Sequence, residues 1–363
     1  MSKRGLYERY GELLPKISGL GPVDLGQGNT PLVRSRSIGP AAGLPNLLFK
    51  MEHLNPTGSY KDRFAGLAVG AARASGATRC MATSSGNTGA ALAAFAAAGG
   101  LRCALYVSEN APAGKLSQML AYGADVYRVD QFTIDPVESM AISALLEDEA
   151  QKRGLELFIT AYAVCPDAME GIKTIAYEIH EDAPEVADVF VPVGGGGLHV
   201  AISRGFDDLS QATPGLLRPR MHAVQLSGND TVATPLRNGD TQARPVDTST
   251  SISGLGVGFI LDGHDVIRHA RATGGQGHVI DEDVVRAVQR RLALEEGILV
   301  EPAGAVSVAG ALAAAQSEEI SGDDPVVCIL TGHGFKDPDT LQAIGGDAVR
   351  ISRGEIAGTF KHD

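Results

Sequence analysis

The stretch Asn55-Pro56-Thr57-Gly58-Ser59-Tyr60-Lys61-Asp62-Arg63 decides how the chain is read. Pro56 and Gly58 punctuate a turn. Thr57 or Ser59 is placed to cap a following helix. Beyond Lys61, Phe64, Leu67, Ala68, Ala71 and Ala72 recur at the helical period. A lysine in the first helical turn sits at the positive end of the macrodipole, which favours anions. With burial, the same field lowers an ammonium pKa and favours a neutral, nucleophilic amine. The residues alone leave two readings open: a solvated lysine at a capped helix start, and a lysine prepared to form a Schiff base.

Outward from this stretch the pattern is strand–helix alternation. Leu47-Leu48-Phe49-Lys50-Met51 reads as a buried strand entering the turn. The Lys61 helix stops near Gly76, and Arg79-Cys80-Met81-Ala82-Thr83 reads as the next strand. Then come Leu101-Arg102-Cys103-Ala104-Leu105-Tyr106-Val107, a helix over 115–121, Asp125-Val126-Tyr127-Arg128-Val129, and a helix over 135–153 closed by Gly154. Leu157-Phe158-Ile159-Thr160-Ala161 is expected to re-enter a larger sheet. This order predicts βαβ units and a parallel sheet. Further strands are expected at 189–193, 221–226 and 326–330, with helices from Gly197 to about Gly205, over 284–296, and after Glu301. Residues 231–250 read as a polar surface loop.

Two glycine-rich turns stand at strand ends. Ser84-Ser85-Gly86-Asn87-Thr88-Gly89 opens an alanine-rich helix, so free N–H groups and the dipole make an anion site there. An ordinary N-cap explains the same residues. Gly194-Gly195-Gly196-Gly197-Leu198 follows an apolar strand, and its consecutive N–H groups suit a phosphate nest. A dinucleotide loop remains open on the residues alone, although the spaced GxGxxG pattern is missing. Thr331, at the end of a C-terminal strand, reads as a turn residue.

Composition narrows the class. The chain has 363 residues, 44% apolar but only 5% aromatic, with 45 glycines, so its core is built from small aliphatic side chains. Its 31 Lys and Arg against 43 Asp and Glu give a formal charge of −12, which argues against a nucleic-acid partner. No apolar run reaches the length of a bilayer span, so no membrane role is expected. Cys80, Cys103, Cys165 and Cys328 and the nine histidines lack metal-ligand spacing, and no metal site is expected. Scattered cysteines suit a reducing cytoplasm.

The motif from Asn55 to Arg63 resembles the lysine motif of threonine synthases, with Tyr60 where that family normally has Phe. Further segments resemble the same family in order: Gly28-Asn29-Thr30-Pro31-Leu32, Ser84-Ser85-Gly86-Asn87-Thr88-Gly89, Met169-Glu170-Gly171-Ile172-Lys173-Thr174, Glu301-Pro302-Ala303-Gly304-Ala305 and Thr331-Gly332-His333-Gly334-Phe335-Lys336-Asp337-Pro338. The resemblance covers nearly the whole chain. It implies the second fold type of pyridoxal-phosphate (PLP) enzymes: an α/β protein with two doubly wound domains of mainly parallel strands and the cofactor between them. Residues 1–72 and 157–350 would form the large domain, 73–156 a small mobile domain, and 351–363 a tail.

The resemblance also implies roles. Lys61 would carry PLP as a Schiff base and shuttle protons. Asn87 would face the phenolic oxygen of the cofactor. Ser84, Ser85, Asn87 and Thr88 would hold the substrate carboxylate. Gly194, Gly195, Gly196, Gly197 and Leu198 would hold the cofactor phosphate, and Thr331 would meet the pyridine nitrogen. A cytoplasmic homodimer acting on O-phosphohomoserine is implied.

Beyond Tyr60, three features depart from that family. Upstream of the Lys173 segment, Cys165 replaces an asparagine and no arginine follows, with Ala168 where a cation is usual. That removes expected substrate-phosphate donors, for which Lys115 or Lys173 are substitutes. The four-glycine turn is more similar to serine and threonine dehydratases. Ser251-Ile252-Ser253-Gly254-Leu255-Gly256-Val257-Gly258-Phe259 is similar to β-replacement enzymes of the cysteine-synthase kind. A dehydratase and a β-replacement enzyme therefore stand as alternatives. A non-catalytic PLP-binding or amino-acid-sensing protein is the alternative of another class, and a nicotinamide dehydrogenase rests on the glycine turn alone.

Overall fold

The structure, a computed structural model, describes residues 5–111, 113–132, 135–258, 261–320 and 322–360. Among these residues ten strands form two sheets. The first six are β1 (Leu32–Arg34), β2 (Leu47–Lys50), β3 (Arg79–Ala82), β4 (Arg102–Ser108), β5 (Asp125–Val129) and β6 (Glu156–Phe158). The remainder are β7 (Asp188–Pro192), β8 (Arg220–Leu226), β9 (Gly277–Ile280) and β10 (Val326–Ile329). The larger sheet runs β1-β2-β10-β7-β8-β9 and the smaller β5-β4-β3-β6. Every pairing is parallel except that of β1 with β2. Helices cover such strands on both faces, which is why β10 is apolar and β7 is apolar after Asp188, both buried throughout.

The core is small-residue packing, as the composition implies. The helix Asn87–Gly99 buries Ala90, Ala91, Leu92, Ala93, Ala94, Phe95 and Ala96. It lies against the helix Lys61–Ala74, which buries Phe64, Ala65, Leu67, Ala68, Val69 and Ala72. Alanine carries little side-chain entropy and lets backbones approach closely. Ile329 lies at the centre of the larger sheet, fully buried, where truncation to Ala costs about 2–5 kcal/mol. No helix among the described residues is long and apolar enough to cross a membrane.

Several sequence expectations need correction. Residues 156–158 do not re-enter the larger sheet: β6 pairs with β3 and closes the smaller one. Local pattern carries no information about which neighbour a strand chooses. The 231–250 segment is not all surface loop, because Ala233–Asn238 is a helix with Ala233, Pro235 and Leu236 buried. The helix after the four-glycine turn runs to Ala212, not Gly205, since a single glycine inside a helix is tolerated. The helix expected over 284–296 is α-helical over Glu282–Arg291 and then widens into a π turn over Leu292–Glu296, ended by Gly297. The Lys173 segment, a single helix in the family it resembles, is here Pro166–Met169, a 3-10 turn over Glu170–Lys173, and Thr174–Asp182.

Candidate active site

The Lys61 helix starts differently from expectation. Its N-cap is Tyr60, which makes no side-chain cap. The capping contact runs backwards: the Thr57 N–H donates to Asp62 Oδ2 at 2.7 Å, and the Thr57 hydroxyl donates to Asp62 Oδ1 at 2.5 Å. Asp62 thereby ties the turn to the first helical turn. Ser59 Oγ is buried without a partner among the described residues. The Tyr60 N–H donates to the Thr331 carbonyl at 3.2 Å, joining the turn to the end of β10.

The turn opens onto a cleft of about 960 Å³. Lys61, Ser84, Ser85, Asn87, Thr88, Gly194, Gly195, Gly196, Gly197, Leu198 and Thr331 all line it. Lys61 follows the turn after β2, and three further strand ends deliver the other groups: β3 leads into the 84–88 loop, β7 into the glycine turn, and β10 into Thr331. In an open parallel sheet, the carboxyl ends of strands are where ligand crevices form.

Lys61 Nζ donates to Thr160 Oγ1 at 2.8 Å and lies 4.6 Å from the centre of the Tyr60 ring. Thr160 Oγ1 is 3.2 Å from Thr88 Oγ1, so a line of hydroxyls links the amine to the 84–88 loop. Burial pushes the Lys61 ammonium down to about 7, against the carboxylates of Glu301 and Asp262, which raise it. Neither carboxylate forms an ion pair with Lys61, so desolvation wins. Glu301 accepts from Asn87 Nδ2 at 2.8 Å and so orients that amide at the helix N-terminus.

The glycine turn has the shape of an anion cradle. A Cβ on Gly194 would lie 2.1 Å from the Gly254 carbonyl oxygen, so the chain passes there only as glycine. Gly196 has φ +93, a conformation that L side chains rarely adopt. A Cβ on Gly195 would meet nothing within 4 Å: it would project into open cleft. Among the described residues, the N–H groups of Gly194, Gly195, Gly196, Gly197 and Leu198 find no backbone acceptor. A cradle of free N–H groups at a helix start fits a phosphate. With the desolvated lysine opposite, these residues fit pyridoxal phosphate.

The expected substrate-phosphate cradle is absent from this cleft. Tyr162 turns away, its ring 4.8 Å under the Arg204 guanidinium and its hydroxyl unpartnered. Cys165 is half-buried and Ala168 buried, and neither lines the cleft. Lys173 is no substitute: it is buried between Glu170 at 2.6 Å and Asp208 at 2.5 Å. The Lys115 side chain and Phe259 lie outside the described residues. The sequence reading missed Thr160, Glu301, Asp262, His53, Gln118 and Lys336 as site groups. Thr160 and Glu301 carried a weak signal, each being polar beside a strand end or helix start.

Comparison with known proteins agrees with this geometry. Residues 23–332 match the family described as pyridoxal-phosphate dependent enzyme. The chain is 34% identical to the threonine synthase of Synechocystis sp. over 350 residues, covering 96% of this chain and 87% of that protein. It is also 34% identical to the threonine synthase of Methanocaldococcus jannaschii over 352 residues, covering 94% and 84%. Among solved structures, maize serine racemase superposes with TM-score 0.71 at 24% identity over 87% of this chain and 91% of that one. Threonine deaminase isoform 2 from Solanum lycopersicum gives 0.69 at 21% identity over 87% and 83%. At those identities the likeness speaks for the fold alone. With its motif segments, its two mainly parallel sheets and its match over residues 23–332, the chain belongs to the pyridoxal-phosphate dependent enzymes of the second fold type.

Proposed function

We propose that this enzyme catalyses elimination and replacement on a small amino acid in the manner of threonine synthase, turning O-phosphohomoserine and water into threonine and phosphate. One observation carries the reading: the Lys61 amine, desolvated to a pKa of about 7, faces both an anion-binding helix start and a phosphate-shaped glycine turn across one cleft.

Gly194, Gly195, Gly196, Gly197 and Leu198 would hold the cofactor phosphate, Asn87 its phenolic oxygen, and Thr331 its ring nitrogen. When bound, PLP supplies a sink for the electron pair left at a carbon that loses its proton. Lys61 is close to half neutral at pH 7, so it takes a proton at the α carbon and returns one farther along the side chain. Thr160 fixes the direction of Nζ during those transfers. The N–H groups and hydroxyls at 84–88 bind the substrate carboxylate and set its orientation. Glu301 holds Asn87, and its charge keeps Lys61 from falling further. Small mobile and large domains, with the second boundary moved beyond β6 because that strand pairs with β3, pairing as a homodimer, and a cytoplasmic setting belong to the same reading. The unpaired state of Cys80, Cys103, Cys165 and Cys328 supports the last.

A second reading, serine or threonine dehydratase, draws on the 161–168 loop, which brings no cation to the cleft. Steady-state rates on O-phosphohomoserine, threonine, serine and O-acetylserine separate the two. The proposal expects a specificity constant for O-phosphohomoserine of about 10⁴ M⁻¹s⁻¹ or more. Release of a 2-oxo acid from serine or threonine, with no threonine formed, assigns the dehydratase instead. Sulfide addition to O-acetylserine assigns β-replacement, and no turnover on any of the four leaves a binding protein.

A further inference from the structure

The loop expected to meet a distal phosphate offers no cation, but the opposite wall does. That wall consists of the turn after β2 and the turn after β10. The two strands are neighbours in register, Lys50 beside Ile329, so their turns emerge side by side. Lys336 lines the cleft there and its Nζ donates to Gln118 Oε1 at 2.9 Å. Gln118 Nε2 in turn donates to the Thr57 carbonyl at 3.0 Å. Among the described residues no carboxylate comes within ion-pair reach of Lys336. An ammonium carries three donors, and the neutral Gln118 accepts one.

The neighbours of Lys336 are imidazoles, both held below the usual histidine range chiefly by burial. His333 lines the same wall, its ring centroid 5.6 Å from that of His53. His53 is only 2% exposed, lines the cleft, and its Nδ1 has no hydrogen-bond partner among the described residues. Burying a polar atom without a partner is unfavourable, and a ligand can relieve it. Gly58 makes room for the lysine stem: a Cβ there would lie 2.9 Å from Lys336 Cε. Glu301 acts on both Lys61 and Lys336, so the two cations share one cleft.

We infer that Lys336, with Gln118 and His53, forms a distal oxyanion subsite that receives the phosphate or carboxylate at the far end of the amino-acid side chain. This rests on the proposed amino-acid chemistry and supplies what the 161–168 loop lacks. Gln118 reaches over from the helix Ala113–Ala121 beside the smaller sheet, so an occupied subsite also ties that helix to the Thr57 turn.

Spectral titration of the PLP-loaded enzyme tests this. The ligands are O-phosphohomoserine against homoserine, and glutamate against glutamine, in wild type, Lys336→Gln and Lys336→Arg. Wild type is expected to bind the anionic member of at least one pair about 10- to 100-fold tighter. That ratio falls to near one in Lys336→Gln and is partly kept in Lys336→Arg. Which pair responds decides between phosphate and carboxylate. A ratio near one for both pairs in wild type, an advantage that survives Lys336→Gln, or no response to either anionic ligand overturns the inference. Turnover of serine or threonine reads the proposed chemistry separately, because neither carries a distal anion.

Discussion

Lys61 and Arg63 lie two residues apart on one helix, both carry cationic groups withdrawn from water, and they have opposite fates. Arg63 faces away from the cleft. Its guanidinium donates to Glu52 through Nε at 2.8 Å and Nη2 at 2.7 Å, and to Glu178 through Nη1 at 2.9 Å and Nη2 at 2.8 Å. Lys50 adds a further ion pair to Glu178 at 2.7 Å. Two buried cations meet two buried carboxylates, and the charge cancels. Burial works against the Arg63 charge, but Glu178 and Glu52 outweigh it and hold the group protonated. Among the described residues Lys61 has only a hydroxyl within hydrogen-bond reach, and burial drives it towards the neutral form. The difference is one of partners: a buried cation beside carboxylates is structural, and one beside a hydroxyl becomes reactive.

That contrast can be broken from either end. The largest effect is expected for Lys61→Ala: kcat falls by about 10⁴-fold, and borohydride no longer traps cofactor on this residue. If wild-type borohydride-reducible adduct persists in that variant, another lysine is the anchor. Next is Arg63→Met, which strands Glu52 and Glu178 and costs about 3–5 kcal/mol. By differential scanning calorimetry, Tm then drops by roughly 5 °C, and adding Glu178→Gln recovers part of it. The same network gives a pH dependence. Burial alone would raise the Glu178 pKa, but Arg63 and Lys50 hold it well below the usual carboxylate range. Its stabilisation is therefore complete above about pH 4.3 and is lost as the pH falls further.

A sharper variant makes Lys61 resemble Arg63. Thr160→Asp supplies the missing carboxylate, which raises an adjacent ammonium pKa by about 1–3 units. Activity at pH 7 should fall about 10-fold or more and return as the pH rises. Unchanged activity at pH 7 would separate the Lys61 pKa from catalysis. The smallest effect is expected for Glu301→Gln. Glu301 favours the charged amine, so its removal moves the acid limb of the kcat profile to lower pH, by less than about one unit.

Much of this was legible in the sequence, and the limit has a physical cause. The turn at Pro56 and Gly58, the apolar period after Lys61 and the glycine run at 194–197 are local signals, and each appears where the sequence puts it. Gly76, Gly154 and Gly297 mark helix ends for the same local reason, each with positive φ. What escaped is non-local. β6 reads as a strand, but only packing decides that it joins β3. Thr160 lies 99 residues from Lys61 in the chain, and Glu301 lies 214 residues from Asn87. No pattern within one segment announces either meeting. The reversed cap at Asp62 was hidden because Thr57 can be read as donor or acceptor until its partner is seen.

The lysine contrast is tested most directly by the pH dependence of Lys61 acylation in the cofactor-free protein. Mass spectrometry would follow the Lys61 peptide beside the exposed Lys16 as internal reference, since only the neutral amine reacts. The contrast predicts half-maximal reactivity of Lys61 near pH 7. Half-maximal reactivity near the ordinary lysine value of about 10.4 would contradict it, and would mean that Lys61 is as charged in the cleft as Arg63 is behind it.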